Sequence, residues 1–111
     1  MRRDHELYLE DIKEAVRKII NFTDGLSFEE FLKDEKCTDA VIRNLEVIGE
    51  AAKNIPPEIK NGYPGVEWRK ISDLRNLIAH EYFGIDYEII WDIVQNKLPD
   101  LREIIGRKQE G

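Results

Sequence analysis

An all-α, up-and-down bundle of four to five helices is the fold class this sequence predicts, on three observations. Apolar residues recur three and four positions apart through most of the chain. Short polar or Pro/Gly-containing loops separate these periodic stretches. No segment alternates with the period of two that a half-buried strand needs, and no internal repeat interrupts the pattern. With 111 residues, 41% of them apolar, the chain is long enough for one core and is expected to form a single domain over 1–111.

Each element follows from its own residues. Asp4 is placed to cap a first helix with Tyr8, Ile12, Ala15, Val16, Ile19 and Phe22 on one face, ending near Asp24-Gly25. Ser27-Phe28-Glu29-Glu30 has the form of a capping box and starts a short helix that buries Phe28, Phe31 and Leu32 and stops before Cys37. Thr38 or Asp39 caps a third helix whose stripe Val41, Leu45, Ile48, Ala52, Ile55 runs to Pro56-Pro57. Within it Gly49, Ala51 and Ala52 replace large side chains, which calls for the close approach of another backbone, either a crossing helix or a second subunit. Arg43, Glu46 and Glu50 form a polar row beside the stripe, read as a solvated face or as support for a site.

Pro56 to Gly65 holds three of the four prolines and reads as an ordered loop returning Ile59 and Tyr63 to the core. A helix is then expected from about Val66 to Phe83, with Trp68, Ile71, Leu74 and Ile78 inward. Asp86 caps the last helix, which buries Ile89, Ile90, Ile93, Val94, Leu98, Leu101 and Ile105 and is kinked or split by Pro99.

The net charge of -6 argues against duplex DNA as a partner, which needs a basic footprint, while leaving room for a local phosphate-binding patch. Charged residues make up 36% of the chain, enough for surface ion-pair networks. Cys37 is the only cysteine, so no disulfide forms within the chain and a reducing, cytoplasmic setting is expected. The longest run without Asp, Glu, Lys or Arg is Asn61 to Val66, far short of the roughly 20 residues of a membrane span.

Candidate chemistry gathers in Asp73 to Gly84. Arg75 is a permanent cation suited to forked phosphate contacts, Asn76 is a neutral donor and acceptor, and His80 can move protons near neutral pH. Together these are the parts of a metal-free phosphodiester cleavage, in which a ribose 2′-hydroxyl attacks the adjacent phosphorus. The plain alternative is a lone helical histidine satisfied within the structure. On an undistorted helix Arg75 and His80 stand about 140° apart, so either the helix unwinds near Gly84 or a second copy completes the site across a two-fold axis. Other chemistries fit less well. His80-Glu81 lacks the second histidine of a zinc-protease helix, and His5 and Cys37 form no local ligand cluster, so no metal or cofactor is expected. No glycine-rich phosphate loop is present, Ser27 and Ser72 lack the flanks of a nucleophile elbow, and Cys37 has only Lys36 as a basic neighbour.

Arg75-Asn76, three residues, then His80-Glu81-Tyr82 resembles the Arg-x4-His-x-Tyr motif of the HEPN superfamily, in its HepT-like branch. Val41 to Pro56, with Ile48-Gly49-Glu50-Ala51-Ala52 at its centre, Trp68 to Asp73, and Trp91 with Leu98-Pro99-Asp100-Leu101 are similar to that branch too, so the resemblance spans nearly the whole chain. It implies a helical bundle, a homodimer with two motifs around a shared cleft, and a metal-independent endoribonuclease acting as the toxin of a toxin–antitoxin pair. The partner it implies is a minimal nucleotidyltransferase antitoxin. By the same resemblance Arg75 and His80 are catalytic, Asn76 assists, and Tyr82 lies beside them as a residue the antitoxin can adenylylate; its plain alternative is to pack as the last residue of its helix. A second reading from another class is a non-catalytic helical adaptor or nucleotide-binding module.

Overall fold

The computed structural model describes residues 5–80 and 84–110, and for His80 and residues 107–110 the backbone alone. It is a helical bundle. The long helices α1 (His5–Thr23) and α3 (Glu35–Lys53) pack side by side, with the short α2 (Phe28–Lys33) closing the turn between them. A single helical turn, α4 (Pro57–Lys60), leads into α5 (Trp68–Ser72) and α6 (Leu74–Ile78), both laid across α3. The last segment is one continuous rod made of α7 (Tyr87–Asp92), a π-helical turn (Ile93–Lys97) and α8 (Leu98–Glu110).

The core forms where the apolar stripes meet. Val41, Leu45, Ile48 and Ala52 of α3 are completely buried and face Ile12, Val16 and Ile19 of α1. Each Val or Ile side chain so enclosed contributes about 1.5–3 kcal/mol. On α1 the inward face is carried on by Thr23, whose hydroxyl donates to the Ile19 carbonyl at 2.8 Å. Phe22, expected inside, is therefore turned to the flank and exposed, and Leu9 is buried while Tyr8 packs at the edge. In α2 Phe31 fills the core, Phe28 is half-buried and Leu32, one residue further round the helix, is exposed. The rings of Phe28 and Phe31 meet Trp91 of the terminal rod at 5.9 and 5.0 Å.

Capping explains most of the boundaries. Ser27 Oγ accepts from the Glu30 amide at 3.1 Å while Glu30 Oε1 accepts from the Ser27 amide at 2.9 Å, completing the expected box. α3 begins earlier than Thr38 or Asp39 would have set it, because Asp34 Oδ1 accepts from the Cys37 amide and Thr38 donates back to the Glu35 carbonyl inside the helix. Asp86 caps the rod through the Ile89 amide at 3.1 Å. The expected Asp4 cap lies outside the described residues.

Pro99 acts upstream of itself. It offers no N–H to the preceding turn, and the Leu98 N–H reaches back five residues to the Ile93 carbonyl, so the helix widens instead of breaking. The loop before α5 is ordered as expected: Ile59 and Tyr63 pack on the core, the Tyr63 ring meets Trp68 edge-on at 6.2 Å, and Trp68 Nε1 donates to the Lys60 carbonyl.

Two expectations for the segment from Val66 to Ile85 need correction. The helix predicted from about Val66 to Phe83 is two short helices, interrupted at Asp73 and ended at Ile78; Trp68 and Ile71 are half-buried, while Leu74 and Ile78 are buried. A strand does occur: Ala79–His80 pairs antiparallel with Gly84–Ile85, Ala79 opposite Ile85 and His80 opposite Gly84. A ladder of two residues per strand is too short to read as alternation, and the fold class stays all-α. The ion pairs Lys13–Glu10, Arg17–Glu14 and Lys53–Glu50 each join residues three apart on one helix, Lys70 of α5 pairs with Glu67 at its N-cap, and Arg43, Glu46 and Glu50 are exposed.

Gly49 meets α5. A β-carbon built there would stand 3.2 Å from the Ile71 carbonyl oxygen and 3.8 Å from the Leu74 β-carbon, so a crossing helix of the same chain accounts for the small residue. Gly49→Val should lower stability by about 2–3 kcal/mol through this overpacking, read as a reduced midpoint in urea with unchanged slope. A Val at the exposed neighbour Glu50 should cost less than 1 kcal/mol.

Candidate functional site

Leu74 and Ile78 clamp α6 onto the core, leaving 5% and 2% of their surfaces exposed. Arg75 is one residue round from Leu74 and fully on the solvent side, with Asn76 beyond it. No carboxylate among the described residues lies within ion-pair distance of Arg75. Around it, Glu67 is occupied by Lys70 at 2.9 Å, and the ammonium donating to it holds its carboxyl below the usual range. Asp73 accepts from Asn76 Nδ2 at 2.5 Å. Arg69 and Arg75 are exposed cations without an ion pair among the described residues.

The turn bearing Arg75 is the last helical one. The Ala79 N–H still bonds the Arg75 carbonyl, but Ala79 itself is extended, at φ -121 and ψ 126. Two extended residues advance about 6.6 Å where a helix would advance about 3 Å, so the backbone of His80 leaves the helical screw. The angular mismatch computed for an intact helix therefore no longer applies. Unwinding, one of the two solutions foreseen, is present, and it starts after Ile78, before Gly84. Glu81, Tyr82 and Phe83 lie outside the described residues, and so does the expectation placed on Tyr82.

The departure is fixed on both sides. The Asp86 N–H donates to the Ile78 carbonyl at 2.7 Å, tying the hairpin base to the start of the rod, and Asp86 also caps that rod. Gly84 takes φ +76, a conformation open to glycine at little cost. Sequence reading offered the unwinding as one of two alternatives and set it too late, near Gly84, and it missed the Asp73–Asn76 bond. Gly84 followed by the Asp86 cap was the available signal for the first, and the Asp-x-x-Asn spacing for the second.

Two depressions lie elsewhere. A groove of about 420 Å³ runs between α5–α6 and the rod, floored by Ile71, Leu74, Ile93 and Leu101, with Leu77 at its lip. A second, of about 510 Å³, lies between the start of α1 and the α4 loop. Neither is lined by Arg75 or Asn76, and both side chains are exposed. Cys37 is buried, donates to the Phe22 carbonyl, and has its thiol pushed up by burial and by Asp34, as befits a core thiol. Among the described residues no three His, Cys, Asp or Glu side chains are grouped to hold a metal ion, and no helix is long and apolar enough to cross a membrane.

A family model described as ribonuclease HepT-like matches residues 12–107, and so takes in α6, the ladder and the rod. The chain belongs to the HepT-like ribonuclease family. A Methanocaldococcus jannaschii protein with a provisional RNase name is 54% identical over 93% of this chain and 86% of its own length. A Thermococcus cleftensis protein named "Probable ribonuclease HepT" is 46% identical, covering 92% of this chain and 93% of its own length. A third relative, from Caldanaerobacter subterraneus and also provisionally named an RNase, is 42% identical over 86% of each chain. No solved structure matches significantly. In this HepT-like ribonuclease domain Arg75 makes no ion pair among the described residues, and the backbone of His80 has left the helix.

The hairpin base gives a direct test. Gly84→Ala meets no atom within 4 Å, so any loss must come from the backbone conformation. It should destabilise the fold by about 1–2 kcal/mol. Gly84→Asn should recover part of that loss in the same denaturation experiment, since Asn tolerates the left-handed region.

Proposed function

We propose that this HepT-like ribonuclease is a metal-independent endoribonuclease that uses Arg75, Asn76 and His80. The observation that carries the reading is the exposed Arg75, free of any ion pair among the described residues, one turn before the helix unwinds into the strand bearing His80. In the proposed step the ribose 2′-oxygen attacks the adjacent phosphorus as it loses its proton. The bond from phosphorus to the 5′-oxygen breaks, and that oxygen receives a proton. His80 moves a proton, and the Arg75 guanidinium stabilises charge on the phosphoryl oxygens. The products are a 2′,3′-cyclic phosphate and a 5′-hydroxyl.

The exposure of Arg75 favours a homodimer as the working unit. A site with one open wall gains enclosure when a second copy faces it, and that copy brings a second His80, so one imidazole can take a proton while the other gives one. Gly49 is already occupied by α5, so α6 and the groove beside it, with Leu77 exposed, are better placed for this contact than the small residues of α3.

The physiological setting we propose is a toxin–antitoxin pair in the cytoplasm, with a minimal nucleotidyltransferase as antitoxin. The proposed control is transfer of AMP to Tyr82: the phenol oxygen attacks the α-phosphorus of ATP and pyrophosphate leaves. The position of Tyr82 two residues after His80 supports this, because a phosphate added there competes with RNA phosphate for Arg75.

Incubation of the purified protein with RNA should yield 2′,3′-cyclic phosphate ends. Arg75→Ala and His80→Ala should each lower the rate at least about 100-fold while leaving the thermal transition in place. Cleavage that persists in both variants would remove the assignment. On co-expression with the nucleotidyltransferase, mass spectrometry should find AMP on Tyr82, and Tyr82→Phe should stay folded and escape the modification. AMP on another residue alone would refute the proposed control.

A further inference from the structure

Asp73 stands between α5 and α6. Its N–H closes α5 on the Arg69 and Lys70 carbonyls, and its carbonyl opens α6 by accepting from the Asn76 and Leu77 amides at 3.0 and 3.1 Å. An aspartate at such a junction ordinarily turns its carboxylate to a free amide of the next helix. Here the carboxylate makes no such bond and accepts from the side chain of Asn76 at 2.5 Å. The pair is also indifferent to Arg75, although the cation is only two residues away. A carboxylate accepts and never donates, so the amide orientation is determined: Nδ2 faces Asp73 and Oδ1 faces away. Donation from Nδ2 to an anion shifts electron density toward Oδ1 and makes it the stronger acceptor.

We infer that Asp73 is a positioning residue that turns Asn76 so its Oδ1 accepts a hydrogen bond from a ribose hydroxyl, which lets the site tell RNA from DNA. This rests on the reading of the Arg75 face as the RNA site. The 2′-hydroxyl is the donor that distinguishes the two nucleic acids, and Arg75 next door supplies a contact to phosphate, which they share. An amide held by one hydrogen bond has its acceptor aimed before substrate arrives, so little freedom is lost when the ribose binds.

The test compares binding of a single-stranded oligoribonucleotide with its all-deoxy counterpart, using the His80→Ala protein so that the RNA stays whole. The ribo form should bind about five- to tenfold more tightly, the worth of one good hydrogen bond. Adding Asp73→Ala should bring the ratio close to one by weakening RNA alone. Asn76→Ala should do the same, and the two together should do no more, because they act through one group. Asp73→Asn keeps an acceptor for Nδ2 and should retain most of the preference. Equal effects of Asp73→Ala on both oligonucleotides would show only a field or folding role. That result, additivity with Asn76→Ala, or no ribose preference at the outset would each overturn the inference. Failure of the underlying ribonuclease reading looks different: unmodified protein would give no cyclic phosphate ends, whatever the binding ratio.

Discussion

The close passage of α5 over Gly49 is the contact on which the rest of the molecule depends. With the Ile71 carbonyl 3.2 Å from where a β-carbon would sit, α3 and α5 are held at backbone distance, closer than any larger side chain allows. Leu74 is drawn into the same crevice, and with Ile78 it fixes the face that α6 turns inward. The outward direction of Arg75 is then set by packing that involves no charged group. A surface arginine on a loop would lose side-chain and backbone freedom on meeting a phosphate; here the backbone share is already lost on folding.

The same crossing limits how far the helix can run. α5 ends beside α3 at Ser72, Asp73 restarts the chain as α6, and after one more turn the backbone opens into the Ala79–His80 pairing, held by Ile85 on one side and the Asp86 amide on the other. Asp86 thereby joins two tasks, anchoring the unwound turn and starting the terminal rod. The rod in turn reaches back to the beginning of the chain, through Trp91 on Phe28 and Phe31 and through the packing of α8 on α1. Ala79 and the Gly84–Ile85 strand are therefore fixed by contacts that span much of the sequence, even though the motif itself is local.

Where one residue type had one physical use, the sequence was legible. The stripe of α3, the Ser27–Glu30 box, the Asp86 cap and the ordered loop carrying Ile59 and Tyr63 were all readable, because periodicity and cap chemistry act over a few residues. It was less legible where two neighbours competed for one role. Phe22 lost the buried place to Thr23, which satisfies its own hydroxyl inside the helix, and Asp34 outran Thr38 and Asp39 as the cap of α3. Unwinding was foreseen as one alternative, but its start after Ile78 was hidden because Leu77, Ile78 and Ala79 continue a helical pattern, and pairing with Gly84–Ile85 draws the chain out of it. Arg75, Asn76, His80 and Tyr82 stood out in the sequence as a motif. How Asn76 is oriented did not, since that depends on which of several acceptors its amide meets in space.

The widened turn ahead of Pro99 bears on how relatives of this protein can differ in length. A five-residue reach in place of a four-residue one takes up a single extra residue without turning the downstream helix relative to the upstream one. A relative one residue shorter between 93 and 97 could thread the same stretch as ordinary helix and still set the equivalents of Leu98, Leu101 and Ile105 against the core. One-residue gaps in alignments should therefore collect here, whereas a gap of the same size in α3 would rotate its stripe and separate Gly49 from the carbonyl it accommodates.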